Sequence, residues 1–195
     1  MSITVRTLAG ADTGAHLSDL ARLRIAVFAA FPYLYDGSEA YEAEYVREFA
    51  AEPGSVLVAA FDGDRVVGAA TASPMAAQKA EFRAPLQARG YDTSAMFYFG
   101  ESVLLPNYRG QGIGHAFFDH REAAARAARA THACFAAVVR PEDHPARPAD
   151  YRPLDSFWRK RGYEPVPGLV THLSWKDHGE SPESAKPMRY WIRAL

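Results

Sequence analysis

Glycines stand at 110, 112 and 114, just behind Arg109 and directly ahead of a stretch with helical patterning. Glycine lets the backbone approach a ligand closely and adopt left-handed conformations. A helix start offers unpaired N–H groups and the positive end of the helix dipole. Residues 109–115 should therefore form a backbone nest for an anion such as a phosphate. Two phosphate chemistries do not fit. A Walker A loop closes on Gly-Lys-Ser/Thr, whereas Gly114 is followed by His115 and Ala116. A dinucleotide fingerprint counted from Gly110 needs glycine at its sixth position, which here is His115.

The second chemically suggestive residue is Glu101, the one carboxylate in the otherwise apolar run 96–105. An amine attacks only when neutral, yet its unperturbed pKa is about 10.4. A carboxylate at such a place is suited to take the amine proton. The competing reading is a structural carboxylate bonded to backbone. The seven histidines offer no His-Glu-x-x-His spacing, and His115 and His120 stand five apart, so no metal site is expected.

The elements that must position these groups can be read from periodicity and breakers. Residues 3–8 alternate as a strand. Leu17 to Ala30 has helical spacing, with Ser18 or Asp19 as its cap and Pro32 as its stop. Phe31 to Gly37 is an aromatic loop. Ser38 opens a second helix, with Tyr41, Tyr45 and Phe49 along one side and Pro53-Gly54 at its end. Residues 55–61 and 65–73 form a hairpin around Asp62-Gly63-Asp64. Residues 75–92 are polar, broken by Pro85 and Gly90, and look like an insertion. A long strand over 96–105, the glycine loop, a helix over 114–130 and a buried strand over 132–139 follow. A proline-rich loop over 141–153, a helix over 154–161 closed by Gly162, and strands over 169–175 and 188–192 complete the chain. The expected architecture is α/β (α+β mixed), a mostly antiparallel seven-stranded sheet with one parallel crossover and helices on both faces. Residues 1–195 read as a single domain.

The run Val103-Leu-Leu-Pro-Asn-Tyr-Arg-Gly-Gln-Gly-Ile-Gly114 resembles the acyl-CoA signature of the GNAT (GCN5-related N-acetyltransferase) superfamily. The preceding strand, the following helix and the later Phe157-Trp-Arg-Lys-Arg-Gly-Tyr163 helix end share in the resemblance, as does the element order across most of the chain. The resemblance implies acetyl-CoA as cosubstrate. Gly110, Gln111, Gly112, Ile113, Gly114 and His115 then match the pyrophosphate cradle, with Arg109 opening it. Ser102, Val103 and Leu104 match the strand end that pairs with the pantetheine arm; the resemblance implies a bulge in this strand that splays it from the next one, with the thioester in the resulting cleft. A backbone N–H there, that of Leu104, would polarise the thioester carbonyl. Glu101 falls near the place where many members carry an acidic residue. Phe31, Tyr33 and Tyr35 fall in the region that overlies the acceptor; capping of the core is the alternative role for these aromatics. The family's tyrosine acid is replaced by Trp158, which would then shape the thiol end of the cleft, while Tyr163 reads as core. Tyr151 and Ser156 lie near Trp158 in sequence, with nothing to favour either as the acid. The implied activity is direct transfer of an acetyl group to a small-molecule or peptide amine in a ternary complex. A non-catalytic acyl-CoA-binding module or sensor is the alternative, and an enzyme using a longer acyl group or a hydroxyl acceptor is a third reading.

Bulk properties narrow the remaining classes. The chain has 195 residues, a formal net charge of −1 and 48% apolar residues, enough for an ordinary core and without the basic footprint of a nucleic-acid binder. Its one cysteine, Cys134, cannot form an internal disulfide and sits in an apolar run, so it reads as buried. No apolar run approaches the roughly 20 residues that span a bilayer, and residues 1–8 lack the pattern of a signal peptide. A cytoplasmic protein without membrane or nucleic-acid partners is the expectation, with a homodimer left open.

Overall fold

The computed structural model describes residues 3–9 and 11–195. The strands are β1 (Ile3–Leu8), β2 (Val56–Asp62), β3 (Arg65–Pro74), β4 (Met96–Leu104), β5 (His132–Val138), β6 (Glu164–Trp175) and β7 (Ser184–Ala194). The α-helices are α1 (Ala11–Ala15), α2 (Leu17–Phe28), α3 (Glu39–Ala51), α4 (Ala80–Ala88), α5 (Ile113–Ala127) and α6 (Asp155–Lys160). All seven strands join one open sheet in the order β1-β2-β3-β4-β5-β7-β6. Every pairing is antiparallel except β4 with β5.

Strand alternation sorts the helices onto two faces. On β2, Leu57, Ala59 and Phe61 pack with Leu20 and Leu23 of α2 and Val46 of α3, whereas Val58 and Ala60 pack with Ile113 and Phe117 of α5. On β4, Met96 and Tyr98 meet Phe82 and Leu86 of α4, whereas Phe97 and Phe99 meet Phe118 of α5. Helices α2, α3 and α4 thus cover one face, and α5 and α6 the other. Cys134 is fully buried in the α4-side cluster.

Several local expectations change. Helix α2 starts at Leu17 with His16 in the capping position and no side-chain cap, so neither Ser18 nor Asp19 caps it. Ser38 does cap α3, its hydroxyl accepting from the Tyr41 N–H. The buried stripe of α3 is Glu42 and Val46, while Tyr41 is exposed; a polar side chain on the inner face hid this periodicity. The segment 75–92 is not a bare polar insertion. It holds a 3₁₀ turn at Met75–Ala77 and the whole of α4, with Met75, Phe82 and Leu86 buried. Pro85 lies inside α4 and has no N–H to give to the carbonyl of Glu81 four residues earlier. The hydroxyl of Thr171 donates to that carbonyl at 2.7 Å, so β6 repairs the gap that proline leaves. Strands β6 and β7 are also longer than their apolar cores suggested.

Candidate active site

The site is built around the middle of β4, where the sheet comes apart. On β3, Ala70 and Ala72 are two residues apart; their β4 partners, Ser102 and Phe99, are three apart. The extra residue is a β-bulge at Gly100–Glu101, opposite Thr71. Glycine is required there, because a Cβ at 100 would lie 2.5 Å from the Thr71 hydroxyl oxygen. The Glu101 N–H donates to that same hydroxyl at 3.1 Å. The bulge also changes which face each side chain takes. Phe97 and Phe99 point to the α5 side, and strict alternation would send Glu101 there too. Instead Glu101 joins Val103 on the α2–α3 side.

Beyond Tyr98 the parallel pairing of β4 with β5 ends; it spans only Met96–Tyr98 against His132–Cys134. Ser102, Val103 and Leu104 stay paired with Ala70, Ala69 and Gly68 of β3 on one edge only. The Leu105 N–H donates to Val67 on the β3 side at 3.0 Å, so alternation turns the Leu104 N–H toward the opposite, open edge. That edge can accept an extended ligand by strand addition.

At the end of β4, a 3₁₀ turn over Pro106–Tyr108 leads into the glycine loop. Gly110 and Gly112 adopt φ of 76° and 83°, the left-handed region that glycine tolerates. Gly112 caps α5 without a side-chain bond. Among the described residues, the backbone N–H groups of Gly110, Gln111, Gly112, Ile113, Gly114 and His115 find no acceptor, and pairing resumes with Ala116 donating to Gly112. A Cβ at Gly110 or Gly112 would meet nothing within 4 Å, so the space in front of these groups is open. Six consecutive donors at the positive end of a fifteen-residue helix suit a pyrophosphate. The contribution of His115 is its backbone; its ring packs against Phe157, centroids 4.9 Å apart.

Sequence reasoning missed the partners of Glu101. Arg24 of α2 reaches across the sheet face and ion-pairs with both Glu101 and Glu42. The guanidinium lies over the ring of Tyr45 at 4.3 Å. The Tyr45 hydroxyl donates to the second oxygen of Glu101 at 3.5 Å. Burial works against the charge of Arg24, but the carboxylates of Glu101 and Glu42 more than offset it and raise its pKa. The neighbouring Glu101 charge, with burial, pushes the Tyr45 phenol well up. Burial, then Glu101 and Tyr151, push the Tyr33 phenol up to about 12. Tyr35 is raised as well, by burial and its hydrogen bond to Glu42. Glu101, Tyr33, Tyr45 and Tyr151 thus share one neighbourhood, and Phe31 joins it by stacking edge-on to Tyr151 at 4.7 Å. The sequence holds a signal for Arg24, a lone basic residue on the apolar face of α2, one position past Leu23.

The aromatic loop is tied down rather than free. Arg140 donates to the carbonyls of Pro32 and Tyr33 at 2.7 and 2.8 Å, and forms a two-pronged pair with Asp177. The Trp175 indole also donates to the Tyr33 carbonyl, at 3.0 Å. Lys186 is buried beneath this hinge, bonded to Glu180 and the Trp175 carbonyl.

Trp158 lies elsewhere. Its ring packs on Phe135 and Trp191, both 5.0 Å away, in the cluster on the α5 side. The structure does not bring it together with Phe31, Tyr33 and Tyr35. Tyr163 is fully buried and donates to Glu122, in agreement with a core role. Among the described residues, no three His, Cys, Asp or Glu side chains gather to hold a metal, and no helix is long and apolar enough to cross a membrane.

Residues 23–149 match the model of the acetyltransferase (GNAT) family. The chain belongs to the GNAT acetyltransferase family. The match runs from α2 to the loop after β5 and includes Arg24, Glu101 and the glycine loop. Solved structures share the fold at low identity. The ribosomal-protein-alanine N-acetyltransferase of Brucella melitensis is 15% identical, with a TM-score of 0.63 over 98% of this chain and 99% of that one. An aminoglycoside 6'-N-acetyltransferase complexed with coenzyme A is 18% identical, with a TM-score of 0.62 over 100% and 97%. The PaiA N-acetyltransferase of Thermoplasma acidophilum, also with coenzyme A, is 12% identical, with a TM-score of 0.52 over the full length of both. No curated protein sequence matches this GNAT chain significantly.

Proposed function

We propose that this GNAT protein transfers an acetyl group from acetyl-CoA to an amine by direct attack in a ternary complex. The observation that carries the reading is the run of six unpaired N–H groups, Gly110–His115, at the mouth of the cleft that opens where β4 leaves β5. The donors fit a pyrophosphate, and the free edge of Ser102–Leu104 fits the amides of a pantetheine arm. Acetyl-CoA supplies an activated acyl carbon.

The chain's own residues do the rest. Arg109, exposed at the rim, adds positive charge to the backbone cradle. The Leu104 N–H, on the open edge, is the donor placed to polarise the acyl carbonyl. Glu101 lies on the α2–α3 side, where the phenols of Tyr33, Tyr45 and Tyr151 surround the acceptor position. It takes the proton that the attacking amine must lose, directly or through water. Arg24 holds one of its oxygens, so the oxygen facing Tyr45 is the working one. The acceptor is a small-molecule or peptide amine, recognised by Phe31, Tyr33 and Tyr35 against a floor that carries two carboxylates and one guanidinium.

Thiol release on incubating the protein with acetyl-CoA and a panel of amines tests this reading, with calorimetry of CoA binding alongside. CoA binding without turnover of any amine would leave an acyl-CoA-binding module. Absence of CoA binding would overturn the cradle itself.

A further inference from the structure

The bulge in β4 is held from below by an arginine that neither the glycine signature nor the acceptor loop involves. Arg121 lies two turns into α5 and is 2% exposed, among the largest fully buried side chains of the protein. Its Nη1 donates to the carbonyls of Thr71 and Glu101, each at 3.4 Å, and its Nε to the carbonyl of Phe117 at 3.1 Å. Thr71 and Glu101 are the two residues that face each other at the bulge, where the ladder between β3 and β4 is interrupted. A bulge leaves backbone groups without their ladder partners. Here the Thr71 hydroxyl satisfies the Glu101 N–H, and Arg121 takes the two carbonyls.

This arrangement is a poor way to gain stability. The guanidinium lies against the rings of both Phe99 and Phe118, 4.6 and 4.7 Å from their centroids, and its Nη2 is buried without a partner. None of its direct partners is a carboxylate; all three are carbonyls. An arginine so placed is an expensive core residue, its buried charge offset only by the carbonyls it bonds. Burial depresses its pKa to about 10. Groups that break the ordinary rules of a core tend to serve the site rather than the fold.

We propose that Arg121 is a positioning residue for acetyl transfer: by gripping the carbonyls of Thr71 and Glu101 it fixes the bulge that swings Glu101 onto the acceptor face and frees the edge of Ser102–Leu104. The proposal rests on the acetyltransferase reading above. It also gives α5 two tasks at once, since its first turn carries the cradle and its third holds the bulge. None of the guanidinium's hydrogen bonds reaches residues 110–115.

The test compares Arg121→Met and Arg121→Lys with the wild type in thermal melting, CoA calorimetry, turnover and amide hydrogen exchange. We expect Arg121→Met, which leaves the Thr71 and Glu101 carbonyls without their donor, to melt somewhat below the wild type but fully folded, and to bind CoA within about twofold of it. Its kcat should fall at least tenfold, with exchange accelerated at residues 100–103 and unchanged in α5. Arg121→Lys, which keeps a cation able to bond a carbonyl, should recover part of the kcat. An unchanged kcat in well-folded Arg121→Met overturns the proposal. So does a parallel loss of CoA affinity and kcat, which would mean that α5 as a whole had shifted. If Met does not fold, a tenfold loss in Lys with normal CoA binding supports the proposal, and a normal Lys variant overturns it. Should the wild type turn over no amine, the acetyltransferase reading fails by itself. The exchange at 100–103 then decides the bulge.

Discussion

The guanidinium of Arg24 and the carboxylate of Glu101, 77 residues apart in sequence, form an ion pair on the α2–α3 face of the sheet. The pair is mostly shielded from water, with side-chain exposures of 11% and 13%. It makes Glu101 part of a three-membered chain that ends at the buried Glu42. An acid–base role for Glu101 therefore has to be exercised with one oxygen held by Arg24 and the other accepting from Tyr45.

For Glu101→Gln, turnover should drop by about a hundredfold or more, the usual scale for losing a general base. CoA affinity should stay within a few-fold, because the cradle makes no use of that side chain. Near-normal turnover in this variant would leave Glu101 as nothing more than the partner of Arg24.

Removing the other end of the pair has a different signature. Arg24→Met strands the carboxylate of Glu42 without its cation, and breaking a buried pair by deleting one partner costs about 3–5 kcal/mol. Urea unfolding should show a loss on that scale, and adding Glu42→Gln should return part of it. Stability equal to wild type would mean that the network is solvated in solution.

Gly112→Asp should abolish CoA binding while leaving the protein folded. A side chain at Gly112 meets no protein atom within 4 Å, so the cost to the fold is confined to the left-handed backbone, about 1–2 kcal/mol. The damage comes from bulk and negative charge placed where a pyrophosphate would lie. Calorimetry that finds unchanged affinity would refute the cradle.

Trp158 offers a test of whether an enzymic acid is needed. A CoA thiolate is a good leaving group, since an ordinary thiol has a pKa near about 8.5. The ring of Trp158 packs on Phe135 and Trp191, so its expected contribution is through packing alone. Trp158→Phe should lower turnover only a few-fold and lower the melting temperature through lost packing. A loss of about a hundredfold in a folded protein would instead implicate the indole N–H in proton transfer.

Alkaline stability should reflect Tyr33. Its folded-state pKa is raised from 10.0 to about 12, so the unfolded chain loses that proton first. The corresponding stabilisation is fully present below pH 10 and is lost as pH rises toward 12. Tyr33→Phe should flatten this part of the stability profile in denaturant titrations across that range. An unaltered slope would show that Tyr33 ionises freely.

Much of this could be read from residue order, because the glycine loop and the strand before it are local features. Gly110, Gly112 and the start of α5 follow from short-range geometry, and the seven strands follow from alternation and turns. Glu101 could be singled out, but not its face: alternation counted from Phe99 sends it to the wrong side, and the resemblance implies a bulge in this strand without placing it, which the register against β3 does. The partners of Arg24, Arg121 and Arg140 were illegible for a related reason, even though Arg24 itself stands out on the apolar face of α2. Each is defined by a carbonyl or carboxylate far away in sequence, and a lone arginine in a helix or after a strand carries no mark of what it will meet. Helix α4 was hidden by its own proline, whose missing bond is supplied by Thr171 from the far end of the chain.

The strand order has a consequence for biosynthesis. Strand β6 is made before β7, yet it reaches the sheet only through β7, which lies between it and β5. While the ribosome still holds residues 184–194, β6 has no place to dock. The Trp175, Asp177 and Lys186 contacts that fasten the aromatic loop cannot yet exist. The part of the sheet from β1 through β5 can meanwhile assemble by pairing each strand with one already made. Nascent chains should therefore pair β1 through β5 before the aromatic loop is fastened, which waits until β7 slots in between β5 and β6.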